Sequence, residues 1–256
     1  VIAYTAYDAV KSKRLLTNSS DHPIKQAILD IHMVQDAERQ LKSIVKDERA
    51  INQPFRIEID GDLKDLYVLH LATYYQDLDI IKILLKKDAK TSLGDQDGYT
   101  PLHWAMSCSS RALHTGDNQK RMIALNIVKT LVKHIASKNE IDHVIDKQYL
   151  RTALHEAAIN GDFEVAEYLV KNGANIDCID FLGNTPLHYT ALKLDMIDAH
   201  KLHEQQTMIA ELLLKNGCET DIKNRHGEKE GVTAMDEAKH TNNQSFIGLF
   251  KRCEDW

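Results

Sequence analysis

Between residues 67 and 250 the apolar positions come in short groups at helical spacing, separated by polar turns. Leu102 and Ala105 fall three residues apart on one face, and Val165, Tyr168 and Leu169 recur at the interval that gives a helix a single apolar stripe. Thr100-Pro101 and Thr185-Pro186 read as helix starts. Thr at the cap position accepts a bond from an orphan helix N–H, and Pro at the first helical position has no N–H to lose. Gly173 follows Lys171-Asn172 where a left-handed residue would end a helix, and Gly98 and Gly183 stand just ahead of the Thr-Pro pairs, where a turn calls for positive φ. The pattern predicts a unit of helix, turn, helix and hairpin-like return, and an all-α chain.

The unit repeats. Thr100-Pro101-Leu102-His103-Trp104-Ala105 and Thr185-Pro186-Leu187-His188-Tyr189-Thr190 are near copies. Thr152-Ala153-Leu154-His155-Glu156-Ala157 lies between them, Tyr67-Val68-Leu69-His70-Leu71-Ala72 precedes them, and Thr233-Ala234-Met235-Asp236-Glu237-Ala238 follows. The offsets from His70 to His103 and from His155 to His188 are both 33 residues, while the two remaining offsets, 52 and 48, are 33 with insertions. Together with the segment Asp162 to Asp177 and the tip Asp180-Phe181-Leu182-Gly183-Asn184, these copies resemble the ankyrin-repeat family, whose unit is about 33 residues with a T-P-L-H-x-A signature.

The resemblance covers roughly residues 67–250 and implies an ankyrin-repeat solenoid, because one unit cannot bury its apolar face without a stacked neighbour. Repeats are expected near 67–99, 100–151, 152–184, 185–232 and 233–256, with insertions near 106–126 and 191–208. These insertions fall between the two helices of a repeat, so they either lengthen those helices or loop out at the edge away from the tips. Asp88 and Leu150 stand where the family has Gly. Residues 1–66 are expected to form an N-terminal helical cap, with an amphipathic helix over 3–16 and a degenerate repeat opening at His22-Pro23 and using Leu41, Ile44 and Val45. Phe246, Ile247, Leu249 and Phe250 suit a closing helix, and Glu254-Asp255-Trp256 a frayed tail.

Composition narrows the function. The 256 residues are 43% hydrophobic, enough for a core, and a net charge of −6 argues against nucleic acid or anionic membrane as the main partner. Even the most apolar stretch, Met122 to Ala136, contains Lys129, Lys133 and His134, so no membrane span is expected. The first residues show no secretory leader and no initiator Met, which leaves room for a longer parent chain. Cys108, Cys178, Cys218 and Cys253 are widely spaced, as reduced thiols in a cytoplasmic protein would be.

Thirteen His invite a metal or catalytic reading, but His70, His103, His155 and His188 share one repeat position, where the family's imidazole bonds within or between repeats. His200 and His203 lack further ligands at zinc spacing, and Cys108 between His103 and His114 lacks any flank of a known nucleophile motif. No catalytic residue, metal or cofactor is expected.

In the family, inner helices and tips form a concave surface where partners dock. Carried onto this chain, the residue after the motif His is Leu71, Trp104, Glu156, Tyr189 or Glu237, and the tips offer Gln96, Asp97, Tyr99, Phe181, Leu182, Asn184, Arg225 and His226. The candidate partner-binding set is Tyr99, Trp104, Glu156, Phe181, Leu182, Tyr189 and Asp97, an aromatic stripe ringed by Asp95, Asp97, Glu156 and Asp180. That acidic rim points to a partner with basic character. The expected function is a non-catalytic, monomeric scaffold for a protein partner. Irregular repeats in a Lys-, Ile- and Asp-rich chain resemble bacterial ankyrin effectors that act in the host-cell cytosol or nucleus. The alternatives are the targeting part of a larger enzyme and a small enzyme using Cys108.

Overall fold

The computed structural model describes residues 51–59, 62–137, 140–146, 148–192, 200–225 and 231–253, and the chain divides into two compact units, 1–101 and 102–256. In the first unit, strands β1 (Phe55–Ile59) and β2 (Asp62–Leu66) pair antiparallel with Phe55 opposite Leu66, and Arg56 grips Asp65 across the pair at 2.7 and 2.8 Å. This hairpin replaces the helical cap expected over its part of 1–66. Phe55, Ile57 and Ile59 alternate with Arg56 and Glu58, a period of two that suits a strand, and Asp60-Gly61 is a dipeptide favoured in two-residue hairpin turns. The proposed helix at 3–16 and the degenerate repeat around 22–45 lie outside the described residues. Helices α1 (Val68–Tyr74) and α2 (Leu78–Lys86) follow.

The remaining helices are α3 (Pro101–Thr115), α4 (Asn118–Ser137), α5 (Ala153–Asn160), α6 (Phe163–Lys171), α7 (Pro186–Ala191), α8 (His200–Lys215), α9 (Ala234–His240) and α10 (Gln244–Cys253). In the second unit α5, α7 and α9 pack in sequence as one layer, and α4, α6, α8 and α10 as the other. The small motif residues Ala105, Ala157, Thr190 and Ala238 are buried, so the helices approach closely.

The ends of these helices obey repeating local rules. Second helices begin on an Asx cap: Asp77 accepts from Ile80 N at 3.0 Å, Asp117 from Lys120 N at 3.0 Å, Asp162 from Val165 N at 3.3 Å and Asn243 from Phe246 N at 3.1 Å. They end with a left-handed residue, Asp88 (φ 57), Gly173 (φ 88) or Gly217 (φ 77), and the next N–H returns to Leu84, Leu169 or Leu213 at 3.0 to 3.2 Å. The residue after that turn is small and buried: Ala89, Ala174, Cys218. Asp88 and Leu150 (φ 56) therefore adopt the glycine conformation despite their side chains.

The first insertion lengthens helices. α3 has 15 residues and α4 has 20, against 8 in α5 and 9 in α6. The added turns carry Ser109 and Arg121 onto Asp162, the cap of α6, at 2.8 and 3.1 Å. Of the second insertion, residues 193–199 lie outside the described set and the rest extends α8.

The motif histidine joins one repeat to the next. His155 Nδ1 accepts from Thr152 N–H at 3.2 Å and lies 3.0 Å from its hydroxyl, while Nε2 meets the Asn184 carbonyl at 2.9 Å. His188 repeats this with Thr185 N–H (3.1 Å) and the Val232 carbonyl (3.1 Å). An amide N–H can only donate and a carbonyl can only accept, so each ring is neutral with its proton on Nε2. At Thr152 and Thr185 the cap bond thus runs from the Thr backbone to the ring, whereas Thr233, whose repeat has Asp236 in place of His, accepts from Asp236 N at 3.2 Å as the sequence suggests. In the first unit His70 Nε2 meets the Tyr99 carbonyl at 2.9 Å.

Burial lowers the pKa of His155 and takes that of His70 down to about 4, with the carbonyl bonds opposing the shift. Unfolded imidazole takes a proton near pH 6.5, so the stability these rings contribute is complete above that pH. It is lost as pH falls from about 6.5 toward the lowered folded values. The gap in urea midpoint between the natural protein and His155→Gln should therefore narrow from pH 7.5 to pH 5, and an equal gap would refute the neutral ring. Leu187, 1% exposed in α7, should cost about 2–5 kcal/mol when replaced by Ala, read as a lower urea midpoint. Leu150→Gly should raise the stability by up to about 1 kcal/mol, read as a higher urea midpoint, because it removes the left-handed strain of a branched side chain.

Candidate functional site

The returns between repeats are built on a buried carboxylate. Asp180 Oδ1 accepts from Leu182 N and Asn184 N, both at 2.8 Å, and its own N–H bonds the Asn184 carbonyl at 3.0 Å, closing the tip. Asp146 does the same for Gln148 N (2.9 Å) and Tyr149 N (3.2 Å), and Asp95 for Asp97 N (3.0 Å) and Tyr99 N (2.9 Å). An Asx side chain satisfying its own turn is a local device that needs little support from elsewhere. Asn224 takes the position in the fourth return and accepts from Val232 N at 3.1 Å. Its Nδ2 donates to Asn184 Oδ1 at 2.8 Å, which ties adjacent returns together side chain to side chain.

Backbone bonds align the tips of the second unit. Phe181 N donates to the Tyr149 carbonyl at 2.8 Å, and Arg225 N to the Leu182 carbonyl at 2.7 Å. Tyr149, Phe181 and Arg225 thus stand on three successive tips. With their backbone satisfied, the large side chains remain in water: Phe181 is 56% exposed, Leu150 45% and Tyr149 38%. Beside them the Arg151 guanidinium lies 4.5 Å from the centre of the Tyr149 ring and 5.3 Å from that of Tyr189.

The sequence-derived set divides on burial. Phe181 and Asp97 are exposed, and Leu182, Tyr99, Trp104 and Tyr189 are half-buried. Tyr99 and Asp97 belong to the first unit, the others to the second. Glu156 is buried, not outward-facing, because it pairs with Arg151 at 3.2 Å. The Tyr189 hydroxyl donates to Asp180, and its ring packs edge-on against His155, so much of this side chain serves the repeat junction. Burial and the Asp180 carboxylate push its pKa up to about 12.

The acidic rim is likewise overturned. Asp95, Asp180 and Glu156 are buried and bonded to backbone N–H groups or to Arg151, which leaves only Asp97 of the four in solvent. Sequence reasoning overlooked Tyr149 as a surface residue. Its signal was an apolar pair, Tyr149-Leu150, at a turn where polar residues and Gly are usual.

His103 and Cys108 share α3 five residues apart, about 140° around the helix. Cys178 Sγ sits 3.2 Å from Thr152 Oγ1 and 3.7 Å from His155 Nδ1, but burial pushes its thiol up to about 11, which keeps it protonated at neutral pH. Among the described residues no group of three His, Cys, Asp or Glu is placed to hold a metal ion, and no helix is long and apolar enough to cross a membrane.

The family model for ankyrin repeats (3 copies) matches residues 39–115 and 120–224, more than half of the chain, and begins upstream of the first clear motif. Neurogenic locus notch homolog protein 1 of Homo sapiens and that of Mus musculus are each 29% identical over 135 residues. The same protein of Danio rerio is 28% identical over 135 residues. These matches cover 46% of this chain but span only 5% to 6% of the length of the curated relatives. Ankyrin repeats are protein-interaction modules and are generally non-catalytic. With its recurring T-P-L-H openings, its paired helices bridged by motif histidines and a family match over most of its described length, the chain belongs to the ankyrin-repeat family.

Proposed function

We propose that the chain is a non-catalytic scaffold that holds a protein partner on the tips of its returns, centred on Phe181 and flanked by Tyr149 and Leu150. One observation carries this reading: three large apolar side chains stay exposed on neighbouring tips whose backbone is held by Asx turns and inter-tip bonds. Covering a Phe side chain contributes about 1.5–3 kcal/mol, and a rigid tip adds little ordering cost on binding. In the second unit half-buried Leu182 and Trp104 are further candidates, and Tyr99 and Asp97 are candidates on the first unit taken by itself.

The repeat boundaries near 100, 152, 185 and 233 belong to this proposal, as does the monomeric state. A role as an effector inside a host cell rests on composition and irregular insertions alone. Recruitment for a larger enzyme would use the same tips.

Phe181→Ser should reduce capture of a specific partner at least tenfold per folded molecule while the melting temperature moves little, since truncating a hot spot costs about 2 kcal/mol or more. Lys171→Ala, on the exposed side of α6, should change neither. Quantitative mass spectrometry of proteins captured by each variant reads the outcome. A partner list indifferent to Phe181→Ser would show that the tips are not the docking surface.

A further inference from the structure

Among the described residues, the tips of the second unit do not present the acidic rim that the sequence suggests. The carboxylates of Asp146 and Asp180, which begin these turns, are buried and accept backbone N–H groups, so they present no negative face to a partner. The cations are placed differently. Arg225 stands exposed on the tip after Phe181, and its Nη1 donates to the Phe181 carbonyl at 3.4 Å. Among the described residues no carboxylate lies within ion-pair distance of Arg225. At the other end of the row Arg151 lies against Tyr149. Its charge is shared with Glu156 at 3.2 Å and Asp146 at 4.0 Å, yet its Nε is buried without a hydrogen-bond partner among the described residues. Among the described residues the row therefore sets the exposed rings of Tyr149 and Phe181 beside the guanidinium of Arg225, and a guanidinium with no carboxylate partner donates paired N–H bonds to a carboxylate more readily than to any neutral group.

We infer that the partner seated on these tips is an acidic protein segment, which lays a large apolar side chain against Tyr149 and Phe181 and sets a carboxylate on Arg225. This inference rests on the tips being the docking surface. A basic segment is disfavoured because it would bring like charge to Arg225, and among the described residues of the second unit's tips no exposed carboxylate offsets it.

The test uses random peptides displayed on phage and selected on the full chain. Enriched sequences should carry Asp or Glu within a few residues of Phe, Leu or Trp. A fluorescent copy of such a peptide should bind at least ~10-fold more weakly to Arg225→Glu, regain affinity for that variant when its acidic residue is changed to Lys, and weaken as salt is raised. Melting temperatures confirm that each variant is folded. Enriched peptides that are basic, or an affinity unchanged by Arg225→Glu, would overturn the inference. If Phe181→Ser abolishes binding while Arg225→Glu does not, the tip reading stands and the acidic partner alone fails. If neither substitution matters, or nothing is enriched, both fall. A concentration-dependent dimer dissolved by Phe181→Ser would also overturn the inference, by showing that a second copy of the chain covers the face.

Discussion

The repeats that open at Thr152 and Thr185 are each held to the next by a neutral imidazole that bonds in two directions at once. At His155 one ring nitrogen takes the amide of Thr152, which would otherwise be orphaned at the start of α5, and the other gives its proton to the carbonyl of Asn184 in the next return. The ring is buried, so both partners lose water and neither can find it elsewhere. The bond thereby fixes the spacing between a helix start and the tip that follows it, and the spacing in turn decides which side chains reach the surface. His188 and Val232 repeat the arrangement. Where the histidine is replaced by Asp236, the ring's reach is gone, and the carboxylate caps only its own helix.

From that constraint follows the inward turn of the acidic residues. An Asp that must organise a tight return is drawn into contact with two N–H groups, and once buried it has no negative charge to offer outside. The exposed side chains at the crest of each return bear little of that bonding. In this chain they are Tyr149, Leu150, Phe181 and Arg225. The division is physical: residues that close the turn are occupied, and residues at its crest are available.

The lengthened α3 and α4 show a different solution to burying charge. Asp162 is 2% exposed, and it accepts from Ser109, from both terminal nitrogens of Arg121 and from the N–H of Val165. A carboxylate so fully bonded is tolerated, but losing Arg121 would leave it unpaired at a cost of about 3–5 kcal/mol. The insertion therefore holds its neighbour's helix start and is part of the core of the second unit.

The sequence by itself determined the repeat. Thr-Pro, the motif His, the small Ala and the turn glycines are local signals whose geometry is set by capping and by backbone sterics, and they were legible at Thr100, His155, Ala157 and Gly173 without knowledge of neighbours. Even the two missing glycines were legible as departures, and Asp88 and Leu150 took positive φ because the flanking bonds demand it. What only the tertiary structure decided was exposure. Whether Glu156, Asp180 or Tyr189 faces a partner or a neighbouring repeat depends on Arg151, on the amides of the same tip and on the ring of His155. The strands of residues 55–66 also emerged only there: a period of two in so short a stretch is overruled or upheld by what it pairs with, and the sequence pattern of the surrounding chain was helical. Local bonds are written in adjacent residues, whereas the surface of a repeat is defined by contacts between residues tens of positions apart.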